Sequence, residues 1–307
     1  MFLEIHRFSF EWKILEWFNK IDSSILDYFF YIIAQIGGSV GILILMTLIY
    51  WCINKEKGIK LAYICILGIN LNGILKGFFL AKRPFQYDGY EHLRKLVRTY
   101  LSDVASGTSF PSGHSQNSAT LYSSILRYFK KNWVVICSIV MMIIVPLSRL
   151  YLGVHFPGDV IIGVGLGIIS TIIFGTLIDK LYHKKYVVFI ITTLCFIPFL
   201  FLPNMGKDFY KGMGILFGCL LGLFLEEKYV NFEIAKSRKV NVLRYLFGLL
   251  LMIIIYLGAH VINHLDFILA NQFLLRTSNL VTHAALALLA IVLVPYLFTK
   301  IPFLKDR

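Results

Sequence analysis

The chain has 307 residues, a formal net charge of +13 and a composition that is 58% hydrophobic, with a mean hydropathy of +0.73. So apolar a composition excludes an ordinary soluble domain, and several runs reach the roughly 20 residues that a helix needs to cross a bilayer. The positive charge does not mark a nucleic-acid partner, because it lies in short loops between apolar runs, where such charge sets topology. The expected fold is all-α, a polytopic transmembrane helical bundle of about nine spans.

In chain order, residues 1–24 are not a span. Ile14, Trp17, Phe18, Ile21 and Ile25 fall at helical spacing, with Glu11, Lys13, Glu16 and Lys20 among them. This pattern predicts an interfacial helix on the membrane surface. Spans follow at about 28–52 and 59–80, the second carrying Lys76 near its end. Pro84 disfavours helix at Arg83. Lys76 and Arg83 are seven apart, which puts them on nearly one face, about 10 Å apart along the axis if the helix persists. Between 85 and 110, Leu93, Leu96, Val97, Tyr100 and Leu101 form an apolar stripe, with Arg94, Lys95 and Arg98 off it. A second surface helix is expected there.

Ser106 to His114 is rich in turn residues and leads into a third span, about 113–128, that is unusually polar and expected to face the bundle. Its N-terminal N–H groups suit a phosphate. Spans at about 132–148 and 160–178 flank the stretch Ser148-Arg149-Leu-Tyr-Leu-Gly-Val-His155-Phe-Pro-Gly-Asp159. Ionisable groups at the edge of hydrocarbon are costly and read as functional. Four further spans, about 186–203, 210–225, 242–263 and 280–299, complete the chain. The expected division is a five-span core over 1–180 and an extension over 181–307. Residues of the extension do not choose between a lipid access route, a homodimer interface and a second ligand site.

The five cysteines show no metal-ligand spacing and read as packing residues. His260 and His264, four apart with Asp266 after them, permit a metal by spacing alone, but no third ligand is fixed. Glu226 and Glu227 read as solvated charge at the end of a span. Alternating spans bring the ends that carry Lys76, His114 and His155 to one side. The opposite side collects 17 of the 30 Lys and Arg, so the site is expected to face outward, with the N-terminus outside and the C-terminus cytoplasmic.

Cations that converge with two histidines suit an anionic transition state. The clusters Lys76-x6-Arg83-Pro84, Pro111-Ser112-Gly113-His114 and Ser148-Arg149-x5-His155-x3-Asp159 together resemble the three-part signature of the type 2 phosphatidic acid phosphatase family, relatives of bacterial acid phosphatases and vanadium haloperoxidases. The resemblance covers about 76–159. It implies that His155 is a nucleophile forming a phosphohistidine, that Asp159 orients its imidazole, and that His114 is the general acid and then base. It further implies that Lys76, Arg83 and Arg149 clamp the phosphoryl oxygens, with hydrogen bonds from Ser112 and the Gly113 N–H, and that no metal or other cofactor is needed.

The expected function is an integral membrane hydrolase of a lipid-linked phosphate or diphosphate, of undecaprenyl diphosphate or phosphatidylglycerol phosphate type. Its partners are that lipid phosphate and membrane lipids, in a composition compatible with a bacterial source. The alternatives are a soluble sugar phosphate substrate, as in the glucose-6-phosphatase branch, and a non-catalytic lipid-binding protein on the same fold.

Overall fold

The computed structural model describes residues 7–21, 23–93, 107–263 and 265–305, without the side chains of 262, 263, 266 and 267. The expected surface helix over 93–101 therefore lies almost wholly outside the described residues, as does His264. The described chain is helical: α1 Ser9–Asn19, α2 Ser24–Gly37, α3 Ser39–Leu48, α4 Lys55–Phe79, α5 Gly113–Tyr128, α6 Asn132–Tyr151, α7 Pro157–Lys180, α8 Lys185–Phe196, α9 Lys207–Leu225, α10 Arg238–Asn263, α11 Asp266–Leu269, α12 Gln272–Leu288 and α13 Val294–Lys300.

Among the described residues, seven helical segments are long and apolar enough to cross a membrane, or up to eight if the bent pair α2 and α3, which meet at 52°, is one span. The expected span at 113–128 is helix α5, but its 16 residues fall short of the roughly 20 that a crossing needs. Its polar run is buried instead: Ser115, Gln116, Ser118, Thr120 and Ser124 are all at most 1% exposed.

The chain forms two compact units, one of residues up to Leu43 with Leu71–Gly175, the other of Ile44–Asn70 with Thr176 onward. In the first unit, α5 is gripped by α7. A Cβ on Gly163 would lie 2.7 Å from the Ser112 carbonyl oxygen, and one on Gly167 2.5 Å from that of Gln116. Thr171 then donates to the Thr120 carbonyl at 3.1 Å. Asn72 of α4 reaches Gln116 Oε1 at 2.8 Å. Small residues that bring backbones close, with hydrogen bonds across the contact, are how helices associate without a hydrophobic drive.

Helix α1 packs by a different face from the one its apolar spacing suggests. Its buried residues are Glu11 and Leu15, whereas Phe8, Phe10 and Trp17 are 57%, 54% and 60% exposed. Glu11 faces inward because its carboxylate has two N–H partners, Gly158 at 2.9 Å and Phe8 at 3.0 Å. Trp12 packs edge-on against Phe156 at 4.8 Å. Ile25 does not extend the stripe, since α1 ends at Asn19 and a new helix begins at Ser24.

In the second unit, Trp51 is fully buried and donates its indole N–H to the Ala290 carbonyl at 3.0 Å. Glu226 is not solvated charge. It is 0% exposed and paired with Lys55 at 2.7 Å, and it also accepts the Phe232 N–H at 2.9 Å. Glu227 binds Lys185 and accepts from the Tyr186 hydroxyl at 2.6 Å.

The tightest pairing in this unit is α9 on α12. A Cβ on Gly214 would lie 2.2 Å from the Leu280 carbonyl oxygen, and one on Gly218 2.3 Å from that of Ala284. Those are main-chain atoms and cannot swing aside. Gly218→Leu is therefore expected to destabilise the protein by about 1–3 kcal/mol, seen as a lower thermal midpoint in detergent, whereas Gly206→Ala, at a site with nothing within 4 Å, leaves the midpoint in place.

Candidate active site

Three local backbone devices assemble the site, all within the first unit. The first is the end of α4. Leu80 takes φ +44° and the helix stops at Phe79, so the helical register linking Lys76 to Arg83 does not persist as the spacing suggested. Arg83 instead sits in extended backbone, φ −81° and ψ 160°, as the following Pro84 demands. Lys76 Nζ donates to the Thr108 carbonyl at 2.6 Å, and Arg83 Nε donates to that of Gly107 at 3.0 Å. Both cations thereby tie the loop before α5 to the end of α4.

The second device is the start of α5. Ser112 is its N-cap, accepting the Ser115 N–H, and its own N–H donates to the Asp159 carbonyl at 3.0 Å. Gly113 opens the helix beside Lys76; a Cβ there would lie 3.8 Å from Lys76 Cε. His114 follows, with Arg149, His155, Arg83 and Lys76 as its electrostatic neighbours. Gly38, at the break between α2 and α3, abuts its ring, and a Cβ there would lie 3.1 Å from His114 Nε2.

The third device is the turn between α6 and α7. Gly153 adopts φ +66°, its N–H donates to the Leu150 carbonyl at 3.0 Å, and the Val154 N–H reaches back to that of Arg149 at 3.2 Å. This is a Schellman end, which needs a residue free to take the left-handed conformation. It places His155 back against the helix end that carries Arg149. Arg149, Ser148 and Asp159 are 0% exposed and His155 1%.

Arg83 Nη1 lies 2.9 Å from the Val154 carbonyl and 3.1 Å from His155 Nε2. A guanidinium only donates, so Nε2 presents its lone pair and the ring proton sits on Nδ1. On that side stand Asp159 Oδ2 at 3.6 Å and Ser109 Oγ at 3.4 Å. Ser109 also donates to Asp159 Oδ2 at 2.5 Å, and the Phe156 N–H does so at 3.1 Å. Asp159 Oδ1 accepts from Arg7 at 2.8 Å.

The structure therefore brings all eight predicted residues, Lys76, Arg83, Ser112, Gly113, His114, Arg149, His155 and Asp159, to the converging ends of α4, α5, α6 and α7. Sequence reasoning missed Ser109, Arg7 and Glu11. Ser109 stands in the same turn-rich segment as Ser112, but its spacing to Asp159 has no local signature. Arg7 and Glu11 lie about 150 residues from their partners, a contact that periodicity cannot reveal. Among the described residues no group of three or more His, Cys, Asp or Glu is placed to hold a metal ion. His283 Nδ1 is engaged with its own helix, at the Asn279 carbonyl, 2.8 Å.

Burial, and then the positive charges of Arg83 and Arg149, hold the His155 pKa well below the ordinary value of 6.5, against the opposing pull of Asp159. The ring is held neutral, with the Nε2 lone pair toward Arg83. A depressed folded-state value means that the unfolded chain binds the extra proton first. The stability contribution is thus present above the unfolded value and lost as pH falls below about 6.5, at about 1.4 kcal/mol per pH unit. We expect the thermal midpoint in detergent to drop between pH 7.5 and 5, and to drop less in His155→Gln.

The sequence pattern of the PAP2 superfamily matches residues 57–183, and that of the PAP2 superfamily phosphatase transmembrane extension matches 210–307. The lipid A 4'-phosphatase of Bacteroides thetaiotaomicron is 26% identical over 50% of this chain and 71% of its own length. The dog glucose-6-phosphatase catalytic subunit 1 is 28% identical over 54% of this chain and 52% of its own. The phosphatidylglycerophosphatase B of Bacillus subtilis is 42% identical over 21% of this chain and 36% of its own. The chain thus spans about half the length of the glucose-6-phosphatase subunit and more of the lipid A enzyme. With one superfamily pattern covering the converging helix ends and a second, the superfamily's transmembrane extension, matching the C-terminal third of the chain, this multi-span membrane protein belongs to the PAP2 superfamily.

Proposed function

We propose that the chain is a membrane phosphatase that removes phosphate from a lipid-linked phosphate or diphosphate, of undecaprenyl diphosphate or phosphatidylglycerol phosphate type, through a phosphohistidine on His155 and without a metal. The observation that carries this reading is the Arg83–His155 contact. One cation lies against the lone pair of Nε2, so a phosphoryl group that Arg83 binds is delivered to the nitrogen that attacks it. Lys76, Arg83 and Arg149 neutralise the equatorial oxygens, and the Ser112 hydroxyl and Gly113 N–H at the start of α5 add hydrogen bonds.

The reaction runs in two halves. His155 Nε2 forms a bond to phosphorus as the bond to the leaving oxygen breaks, and His114 gives that oxygen its proton. Water then attacks the phosphohistidine, losing a proton to His114, and the P–N bond breaks to return neutral His155 and inorganic phosphate. Asp159, with Ser109 beside it, holds the Nδ1 proton in place throughout, so that Nε2 remains the reactive nitrogen.

A lipid substrate is favoured by the exposed Phe8 at the start of α1 and Phe10 and Trp17 within it, which put an interfacial surface next to the His155–Asp159 turn. The excess of Lys and Arg on the loops of the other side favours an outward-facing site with the N-terminus outside and the C-terminus cytoplasmic. In this reading residues 1–180 are the catalytic core and 181–307 the extension.

The test is phosphate release from a panel of polyprenyl diphosphate, phosphatidylglycerol phosphate, lipid A and phosphatidic acid, with glucose 6-phosphate as the soluble arm, all in detergent with EDTA. Release from a lipid that survives EDTA and falls at least about a thousandfold in His155→Ala is expected, with a loss of about 10²–10⁴ in His114→Ala. Turnover of glucose 6-phosphate alone would replace the lipid substrate with a soluble one. Full activity in His155→Ala would end the phosphohistidine mechanism.

A further inference from the structure

We propose that Arg7, carried by the N-terminal segment, is a positioning residue of the catalytic apparatus: it holds Asp159 from the side opposite His155 and thereby sets how strongly that carboxylate favours a charged imidazole. The two oxygens of Asp159 are divided between two sets of donors. Oδ2 takes Ser109 Oγ and the Phe156 N–H and faces His155 Nδ1. Oδ1 takes Arg7 Nη1 at 2.8 Å.

The Arg7 side chain is 6% exposed and that of Asp159 0%, and the guanidinium carbon stands 4.1 Å from the centre of the Phe156 ring. Arg7 Nε and Nη2 meet no acceptor among the described residues. A cation so buried, with two donor atoms that meet no acceptor among the described residues, is costly as a stability device; its geometry makes sense as a fixed charge on Asp159. Glu11 of α1, the helix that follows Arg7, is fastened to the same turn through the Gly158 N–H at 2.9 Å, and Trp12 packs on Phe156. Residues 7, 11 and 12 thus grip 156, 158 and 159, the turn that begins with the nucleophile.

The sign of the effect follows from charge. The groups facing His155 are Arg83 at Nε2, Arg149 and His114, and Asp159 with Ser109 at Nδ1. Arg7 acts through Asp159. Its charge offsets part of the carboxylate, so removing it leaves Asp159 a stronger partner for an imidazolium, and His155 binds a proton at higher pH. A merely structural Arg7 would change stability without moving that titration in a charge-dependent way.

The catalytic consequence rests on the proposed role of His155, so the deciding measurement uses no substrate. Exchange of the histidine C2 hydrogen with deuterium, followed by mass spectrometry on the His155 peptide across pH, gives its titration midpoint in the full chain in detergent. In Arg7→Met and Arg7→Gln the midpoint is expected to rise by about one unit, and in Arg7→Lys to stay near wild type. Gln keeps a donor without the charge, so it remains informative if Met fails to fold. An unmoved midpoint in both neutral variants, or an equal shift in Arg7→Lys, would overturn the proposal. With short-chain phosphatidic acid as probe, the neutral variants are expected to lose about tenfold in kcat with KM unchanged, and the acid limb of kcat/KM to move upward in step. A wild type silent on every lipid phosphate would count against the proposed function and leave the midpoint result standing.

Discussion

A guanidinium cannot accept a hydrogen bond, and the local chemistry depends on that constraint. With Arg83 against Nε2 of His155, the imidazole has one arrangement: lone pair toward the cation, proton toward Asp159 and Ser109. The same arginine is anchored by the carbonyls of Gly107 and Val154, so it is held from both the loop before α5 and the turn after α6. Burying a guanidinium that deeply costs several kcal/mol unless polar groups surround it. Oriented carbonyl dipoles supply part of that compensation without supplying a competing anion. A carboxylate in the same place would neutralise the charge of the guanidinium. Asp159, the carboxylate close to the ring among the described residues, stands on its Nδ1 side and accepts three hydrogen bonds, from Arg7, Ser109 and the Phe156 N–H.

That arrangement is only as good as the backbone that carries it, and the backbone is fixed by devices that leave little play. Pro84 holds Arg83 extended. Gly153 closes α6 and turns the chain back, so that Arg149 and His155, six positions apart, share one end of a helix. Ser112 caps α5 while its N–H is tied to the Asp159 carbonyl, which links the start of α5 to the start of α7. Each of the three motif segments is therefore bonded to another by main-chain or buried side-chain contacts, and a shift in one displaces the rest.

The elements that carry the motifs were legible because each rests on local rules. Long apolar runs gave helices α4, α6 and α7; a turn-rich lead followed by Ser112 gave the start of α5; Pro84 gave the extended Arg83. Where the reading departed from the structure, a tertiary partner had overridden a local pattern. Glu11 looked like the polar face of α1 and is its buried face, because the Gly158 N–H awaits it. Glu226 looked solvated and is enclosed by Lys55 and the Phe232 N–H. The register from Lys76 to Arg83 looked helical and is broken at Leu80, whose left-handed conformation no propensity announces. Ser109 and Arg7 were illegible for a stronger reason: neither has a spacing rule that connects it to Asp159, and their roles exist only in three dimensions.

Helix α1 joins these threads. Its outer side carries exposed aromatic rings of the kind that settle at a membrane interface, and its inner side carries the carboxylate and the ring that clasp Phe156 and Gly158, with Arg7 just ahead of it. An amphipathic helix usually divides into a lipid face and an apolar packing face. Here the packing face is partly ionic, and its Glu11 carboxylate ends on the turn that follows His155. One element thus meets two surroundings: exposed rings on its outer side, and on its inner side the turn that carries His155 and Asp159. The N-terminal segment lies far in sequence from the three motifs, yet it holds the side of Asp159 that the motifs leave open. The candidate site is therefore built from four segments, the three that spacing reveals and one that only the fold does.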